Sequence, residues 1–142
     1  MKIHFGQIYI QAGINFSFNH IFQNFISEKV TELVEISSKF LEFFTEDYSL
    51  IFNVSAKKEL AINEIVGPAV YKKDKDVEYS IFLPYVPIMQ QPEPNRSALE
   101  HLFEGVYKIL GEYDIDVSKL QNNQERLIAE ILSSPKMFKE SE

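Results

Sequence analysis

The chain contains no cysteine. This absence excludes a disulfide framework, a thiolate nucleophile and a zinc site with thiolate ligands. No apolar run approaches the roughly 20 residues needed to span a bilayer. Polar residues that follow Met1-Lys2-Ile3 recur too often for the apolar core of a signal peptide. We therefore expect a cytoplasmic protein without a membrane segment.

Sequence motifs that carry chemistry are also missing. The glycines, at 6, 13, 67, 105 and 111, are too scattered for a phosphate-binding loop. His4, His20 and His101 lack the i, i+4 spacing of paired metal ligands. No G-x-S-x-G elbow is present. We expect no enzyme activity, no catalytic residue, no metal ligand and no cofactor, although an active site assembled from distant residues stays open.

The composition is that of a folded domain. Hydrophobic residues make up 45% of the chain and charged residues 25%, as in ordinary globular proteins. With 12 Phe and 7 Tyr among 142 residues, the chain can form an aromatic core without metal or disulfide support. We expect one globular domain, residues 1–142, in which residues 136–142 are a frayed tail.

The charge is acidic and unevenly distributed. The net charge of −7 disfavours nucleic-acid binding, which normally requires a basic face. Acidic residues dominate segments 28–47 and 93–116, whereas lysines dominate residues 57–75. An acidic face favours a basic protein partner, although a merely solvated helix face explains it too. The predicted partner-binding residues are Glu93, Glu100, Glu104, Asp114 and Asp116.

Apolar periodicity predicts the first half of the fold. Residues 2–12 read as a strand, and residues 17–44 as a helix of about seven to eight turns, with Ser17 as its N-cap. A break near Ser37-Ser38 stays open. Residues 48–56, 60–71 and 77–85 alternate as three strands of an antiparallel meander. Gly67-Pro68 predicts a bend, a bulge or an edge position in the middle strand.

The second half is predicted to be helical. After an irregular crossover over residues 84–95, Ser97 and Glu100 form a predicted capping box for a helix that ends at Gly111. A third helical pattern ends at Pro135 and is weakened by Asn122-Asn123. The order β-α-β-β-β-α-α predicts an α+β fold: a four-stranded, mainly antiparallel sheet with helices packed on one face. The position of the first strand in the sheet is left open.

Two segments resemble a known class of proteins. Residues 70–85 (VYKKDKDVEYSIFLPY) are similar to a hairpin in small bacterial immunity proteins of polymorphic-toxin systems. Residues 99–110 (LEHLFEGVYKIL), followed by 113–116 (YDID), are similar in the same way. The resemblance implies a cytoplasmic α+β protein that binds and blocks a cognate toxin, often through acidic groups that face a basic site. It assigns a role to no individual residue.

These observations favour a non-enzymatic protein-binding domain, specifically an immunity protein that neutralises a cognate toxin. One alternative is a secretion chaperone, which would form a homodimer and hold an effector segment in an apolar groove. The other is a small enzyme with a dispersed active site. The sequence does not distinguish a monomer from a dimer.

Overall fold

The computed structural model describes residues 2–9, 18–34, 49–57, 64–71, 76–112 and 115–138. The predicted N-cap Ser17, the possible break at Ser37-Ser38 and the predicted partner residue Asp114 lie outside these ranges.

Within these ranges, four strands and four α-helices follow one another in the order β1-α1-β2-β3-β4-α2-α3-α4, and a short 3-10 helix comes last. The strands are β1 (Lys2–Tyr9), β2 (Ser49–Lys57), β3 (Glu64–Tyr71) and β4 (Asp76–Pro84). The helices are α1 (His20–Leu33), α2 (Tyr85–Met89), α3 (Pro94–Glu112), α4 (Ser118–Leu132) and the 3-10 helix Pro135–Met137.

The strands form a mixed sheet in the order β1-β2-β4-β3. β1 pairs with β2 in parallel, β2 pairs with β4 in parallel, and β3 pairs with β4 in antiparallel fashion. Phe52 lies opposite Tyr79, and Val54 lies opposite Ile81. These four side chains are buried, so this face of β2 and β4 belongs to the core.

The predicted four-stranded, mainly antiparallel sheet with helices on one face is wrong. Helices dominate the described part of the chain, and parallel pairings outnumber antiparallel ones. The error arose because β3 does not lie between β2 and β4. β3 follows β2 in sequence but pairs with β4 alone, on the side of β4 opposite β2. Alternation within a strand reveals its faces but not its neighbours.

The edge positions of β1 and β3 have local explanations. Parallel strands need a long crossover connection, and the segment containing α1 supplies it between β1 and β2. In β3, the register shifts between Val66 and Ala69, on either side of Gly67-Pro68. Proline cannot donate a ladder hydrogen bond, so β3 tolerates it at the edge. The predicted irregularity at Gly67-Pro68 is confirmed.

α1 is shorter than the predicted helix. Asn19 caps it, because its side-chain oxygen accepts hydrogen bonds from the backbone N–H groups of Ile21 (3.0 Å) and Phe22 (3.2 Å). Val34 has an extended backbone (φ −110°, ψ 148°), which ends the helix after Leu33. The helical spacing of apolar residues that predicts a helix over residues 17–44 therefore continues in the sequence past Leu33, where α1 ends.

The start of α3 also differs from the prediction. The helix begins at Pro94, since the fixed φ of proline suits a first helical turn and its missing N–H costs nothing there. The backbone N–H of Ser97 donates to the carbonyl of Glu93 at 3.0 Å, so Ser97 lies inside the helix. The predicted capping box at Ser97 and Glu100 is wrong. α4, by contrast, runs without a break through Asn122-Asn123.

The core lies between β4, α3, α4 and α1. α3 contacts both β4 and α4, and α1 contacts β1 and α4. α3 buries one complete face, formed by Ala98, Leu99, Leu102, Phe103, Gly105, Val106, Ile109 and Leu110. Burial of each large apolar side chain contributes about 1.5–3 kcal/mol. The face of α3 that points away from the core is thereby fixed in orientation.

We expect Gly105→Ala to lower the free energy of unfolding by about 1 kcal/mol or more in a denaturant titration. An added Cβ would lie 2.9 Å from Cγ2 of the fully buried Ile81. Overpacking of this kind costs about 1–3 kcal/mol, which exceeds the gain of up to about 1 kcal/mol in helix propensity.

Gly111→Ala is the matched control in the same helix. No atom lies within 4 Å of a Cβ added there, so the propensity gain should stabilise the protein by up to about 1 kcal/mol. Equal effects of the two substitutions would contradict the close packing of α3 on β4.

Candidate protein-binding surface

The outward face of α3 carries a line of charged side chains. Arg96, Glu100, Glu104 and Lys108 follow one another at i, i+4 spacing, which places them on one side of the helix. Glu93 precedes the helix on the same side and contacts Arg96. We call Glu93, Glu100 and Glu104 the acidic stripe.

Arg96 joins the acidic stripe to α4. Its Nη1 atom donates to Oε2 of Glu125 at 2.8 Å and lies 3.8 Å from Oε1 of Glu100. Its Nε atom lies 3.9 Å from Oε2 of Glu93. The hydrogen bond with Glu125 raises the pKa of the Arg96 guanidinium. The group therefore stays charged and holds carboxylates from two helices near one point.

The carboxylates around Arg96 remain open to solvent. The side chains of Glu93, Glu100 and Glu125 are 72%, 50% and 73% exposed. One guanidinium faces three carboxylates, so a local excess of negative charge remains. Exposed ion pairs contribute little to folding. The cluster is thus better suited to presenting charge than to stabilising the fold.

Glu104 continues the acidic stripe along α3. Its Oε1 atom lies 3.9 Å from Nζ of Lys108, and the two side chains are 59% and 56% exposed. Lys108 offsets part of the negative charge at this end. The negative charge is therefore concentrated toward the N-terminal half of α3.

Asp116 has a different role from the acidic stripe. Its Oδ1 atom accepts hydrogen bonds from the side-chain hydroxyl of Ser118 (2.6 Å) and from the backbone N–H of Ser118 (2.9 Å). Both bonds lower the pKa of the Asp116 carboxyl. This arrangement forms a turn at the start of α4. Asp116 therefore stabilises the turn that precedes α4, in addition to being a predicted partner-binding residue.

The structure describes four of the five predicted partner-binding residues, and their role in binding stays a prediction. Glu93 and Glu100 lie together around Arg96, and Glu104 lies one turn farther along α3. Glu125 was missed, since it is 29 residues from Arg96 in sequence. No periodicity within one helix predicts a contact across two.

A small open depression lies beside the acidic stripe. It has a volume of about 230 Å³ and is lined by Gln91, Pro92, Glu93, Arg96, Ser97 and Glu100. Typical small-molecule sites are larger, at roughly 300–1,000 Å³, and mostly apolar. Within the described ranges, no group of three His, Cys, Asp or Glu residues is placed to hold a metal ion. This depression is thus smaller and more polar than a typical small-molecule site.

A second polar contact fixes α3 against α4. The hydroxyl of Tyr107 donates to Oε1 of Gln124 at 2.6 Å, and its ring stacks on Phe103 with centroids 6.2 Å apart. Burial raises the pKa of Tyr107 to about 12. The contact holds the two helices together near the far end of the acidic stripe.

Comparison with known proteins gives no relative. No protein-family model matches the chain, and neither a curated protein nor a solved structure is significantly similar to it. None of the helices in the described segments is long and apolar enough to cross a membrane. The resemblance to immunity proteins therefore stays a prediction.

We expect Tyr107→Phe to remove one component of the alkaline absorbance titration at 295 nm, with a midpoint near pH 12. Because the folded pKa of about 12 exceeds the ordinary value of 10.0, the unfolded chain loses this proton first. The contribution of Tyr107 to stability is complete below pH 10 and is lost as the pH rises through 12. The variant should therefore lose less stability over this range.

Tyr85→Phe serves as the control, since Tyr85 lies in α2, outside the α3–α4 contact. A titration of Tyr107→Phe identical to that of the unchanged protein above pH 11 would contradict the buried position of the Tyr107 hydroxyl.

Proposed function

We propose that this protein binds a basic protein partner through the acidic stripe and acts as an immunity-type inhibitor of a toxin. The observation that supports the proposal is the set of exposed carboxylates that Arg96 holds around one point. The net charge of −7 supports it as well, because long-range attraction speeds encounter with a basic partner.

Rigid support makes the acidic stripe suited to binding. Association costs free energy for every flexible side chain that must be ordered. α3 is anchored by its buried apolar face, and Arg96 and Tyr107 tie it to α4. The carboxylates on it consequently start from a restricted geometry, which lowers the cost of binding.

The partially neutralised cluster also offers a source of specificity. Arg96 already donates a hydrogen bond to Glu125 and lies within ion-pair distance of Glu93 and Glu100. A partner cation must approach where oxygens remain exposed, because a second cation placed close to the guanidinium is repelled. The arrangement of positive groups on the partner is therefore selected along with its net charge.

The two alternatives gain less support from the described surface. A secretion chaperone needs an exposed apolar groove, whereas the exposed large apolar side chains Ile21 and Val86 lie on two different helices, α1 and α2. An enzyme needs convergent polar groups in a deep pocket, whereas the depression beside Arg96, at about 230 Å³, is smaller than a typical small-molecule site.

The direct test is coexpression with the protein encoded beside it. If that neighbour is a toxin, its expression alone should arrest growth, and coexpression of this protein should restore growth and yield a complex. Persistent arrest without a detectable complex would contradict the proposed function.

We expect the double variant Glu100→Lys/Glu104→Lys to slow association with that partner by roughly tenfold or more at low ionic strength. Both residues belong to the acidic stripe and are exposed. The effect should shrink as salt screens the charges. Association rates from stopped-flow or surface-based binding measurements provide the test.

Glu28→Lys/Glu32→Lys is the matched control. Glu28 and Glu32 are also exposed, and they also lie four residues apart on one helix. Glu32 contacts Lys29, just as Glu104 contacts Lys108. The net charge changes by the same amount. Equal slowing by both double variants would assign the effect to overall charge and contradict binding through the acidic stripe.

A further inference from the structure

The end of the described chain folds back onto the start of α1. After α4, Ser134 is extended, Pro135–Met137 form the 3-10 helix, and Phe138 pairs with Phe18 in an antiparallel bridge. We call residues 135–138 the strap. The 3-10 helix contacts α1 across more than 100 residues of intervening sequence.

Asn19 binds the strap and caps α1 at the same time. Its Oδ1 atom accepts from the first turn of α1. Its Nδ2 atom donates to the backbone carbonyls of Lys136 (2.7 Å) and Phe138 (3.3 Å), and its backbone N–H donates to the carbonyl of Met137 at 3.0 Å. The carboxamide oxygen of Asn19 thus caps α1, and the carboxamide nitrogen binds the strap. A substitution can therefore remove one contact and keep the other.

Closure of the strap hides an apolar surface. Phe18 stacks on Phe22 with ring centroids 4.3 Å apart, and the ring of Phe138 lies 5.2 Å from that of Phe18, tilted by 39°. Phe18 and Met137 are 3% and 7% exposed. Opening would present these side chains to solvent at the N-terminal end of α1.

Both helices that flank the strap keep their end hydrogen bonds without it. α1 retains the Asn19 Oδ1 cap. At the end of α4, the backbone N–H of Ser133 donates to Ala129 and that of Ser134 donates to Ile131, each at 3.1 Å. Opening therefore requires no helix to lose its cap, so its free-energy cost is less than that of global unfolding.

We propose that the strap opens and closes as a unit while α1 and α4 stay folded, with the Asn19 carboxamide as its latch. The open form exposes the apolar surface around Phe18 and frees the peptide bond after Lys136. In the closed form, the carbonyl of that bond is held by Asn19, which protects it from trypsin. Opening of the strap thus exposes a buried apolar surface while the rest of the domain stays folded.

Limited trypsin digestion of the full chain, followed by mass spectrometry, tests the latch. Asn19→Asp keeps the helix cap but removes the Nδ2 donor and places a carboxylate against two carbonyls. We expect cleavage after Lys136 to accelerate by roughly tenfold, since two hydrogen bonds are lost and cleavage follows the open population. Cleavage after Arg126, inside α4, should not change.

Asn123→Asp is the matched control. The Nδ2 atom of Asn123 also donates to a backbone carbonyl, that of Lys119, at 2.7 Å, and the change in charge is identical. Equal acceleration by the two substitutions would overturn the proposal. Acceleration at Arg126 as large as at Lys136 would overturn it too, because the strap would then open only with the whole domain.

Hydrogen exchange of the unchanged protein tests the same proposal without mutation. The backbone amide of Asn19 donates to the carbonyl of Met137 when the strap is closed. We expect this amide to exchange at least tenfold faster than the amide of Val106, which lies in the buried face of α3. Protection of the two amides to the same extent would overturn the proposal.

Discussion

The structure depends on the burial of one face of α3 against β4 and α4. Gly105 allows this contact, because its missing Cβ leaves room for Ile81 in β4. Leu99, Phe103 and Val106 are fully buried on the same face. Once this face is fixed, the rotation of α3 about its axis is fixed too. The charged residues at i, i+4 spacing must then point away from the core.

The charged surface follows from this constraint. Arg96 reaches across to Glu125 because α4 packs beside α3, and it draws Glu93 and Glu100 toward the same point. The solvent exposure of these carboxylates keeps their charge available. A stable core and a charge-presenting surface are thus two sides of one helix, and substitutions on the outer side can alter binding with little effect on folding.

Local patterns in the sequence predict local features. The apolar spacing of α3 from Leu99 to Leu110 predicts its buried face, and Gly67-Pro68 predicts the irregularity of β3. Which strands pair with each other is harder to predict from the sequence. β2 pairs with β4, although β3 lies between these two strands in the sequence. The crossover containing α1 is a signal for parallel β1 and β2 that an antiparallel interpretation overlooks.

Long-range polar contacts are the least predictable part. Nothing near Arg96 in sequence indicates Glu125, because their contact depends on the packing of two helices. Asn19 likewise contacts Lys136 and Phe138, which belong to the segment 136–142 that was expected to fray, across 117 to 119 residues. By contrast, the acidic stripe is predictable because it needs only the helical period and the identity of the side chains.

The most direct test of the central claim is a hydrogen–deuterium exchange footprint of this protein in complex with the product of the adjacent gene. If the acidic stripe is the binding surface, the first turns of α3, from Pro94 to Glu104, should gain protection together with the segment of α4 around Glu125. Protection confined to α1 or to the strands, with α3 unchanged, would contradict the account.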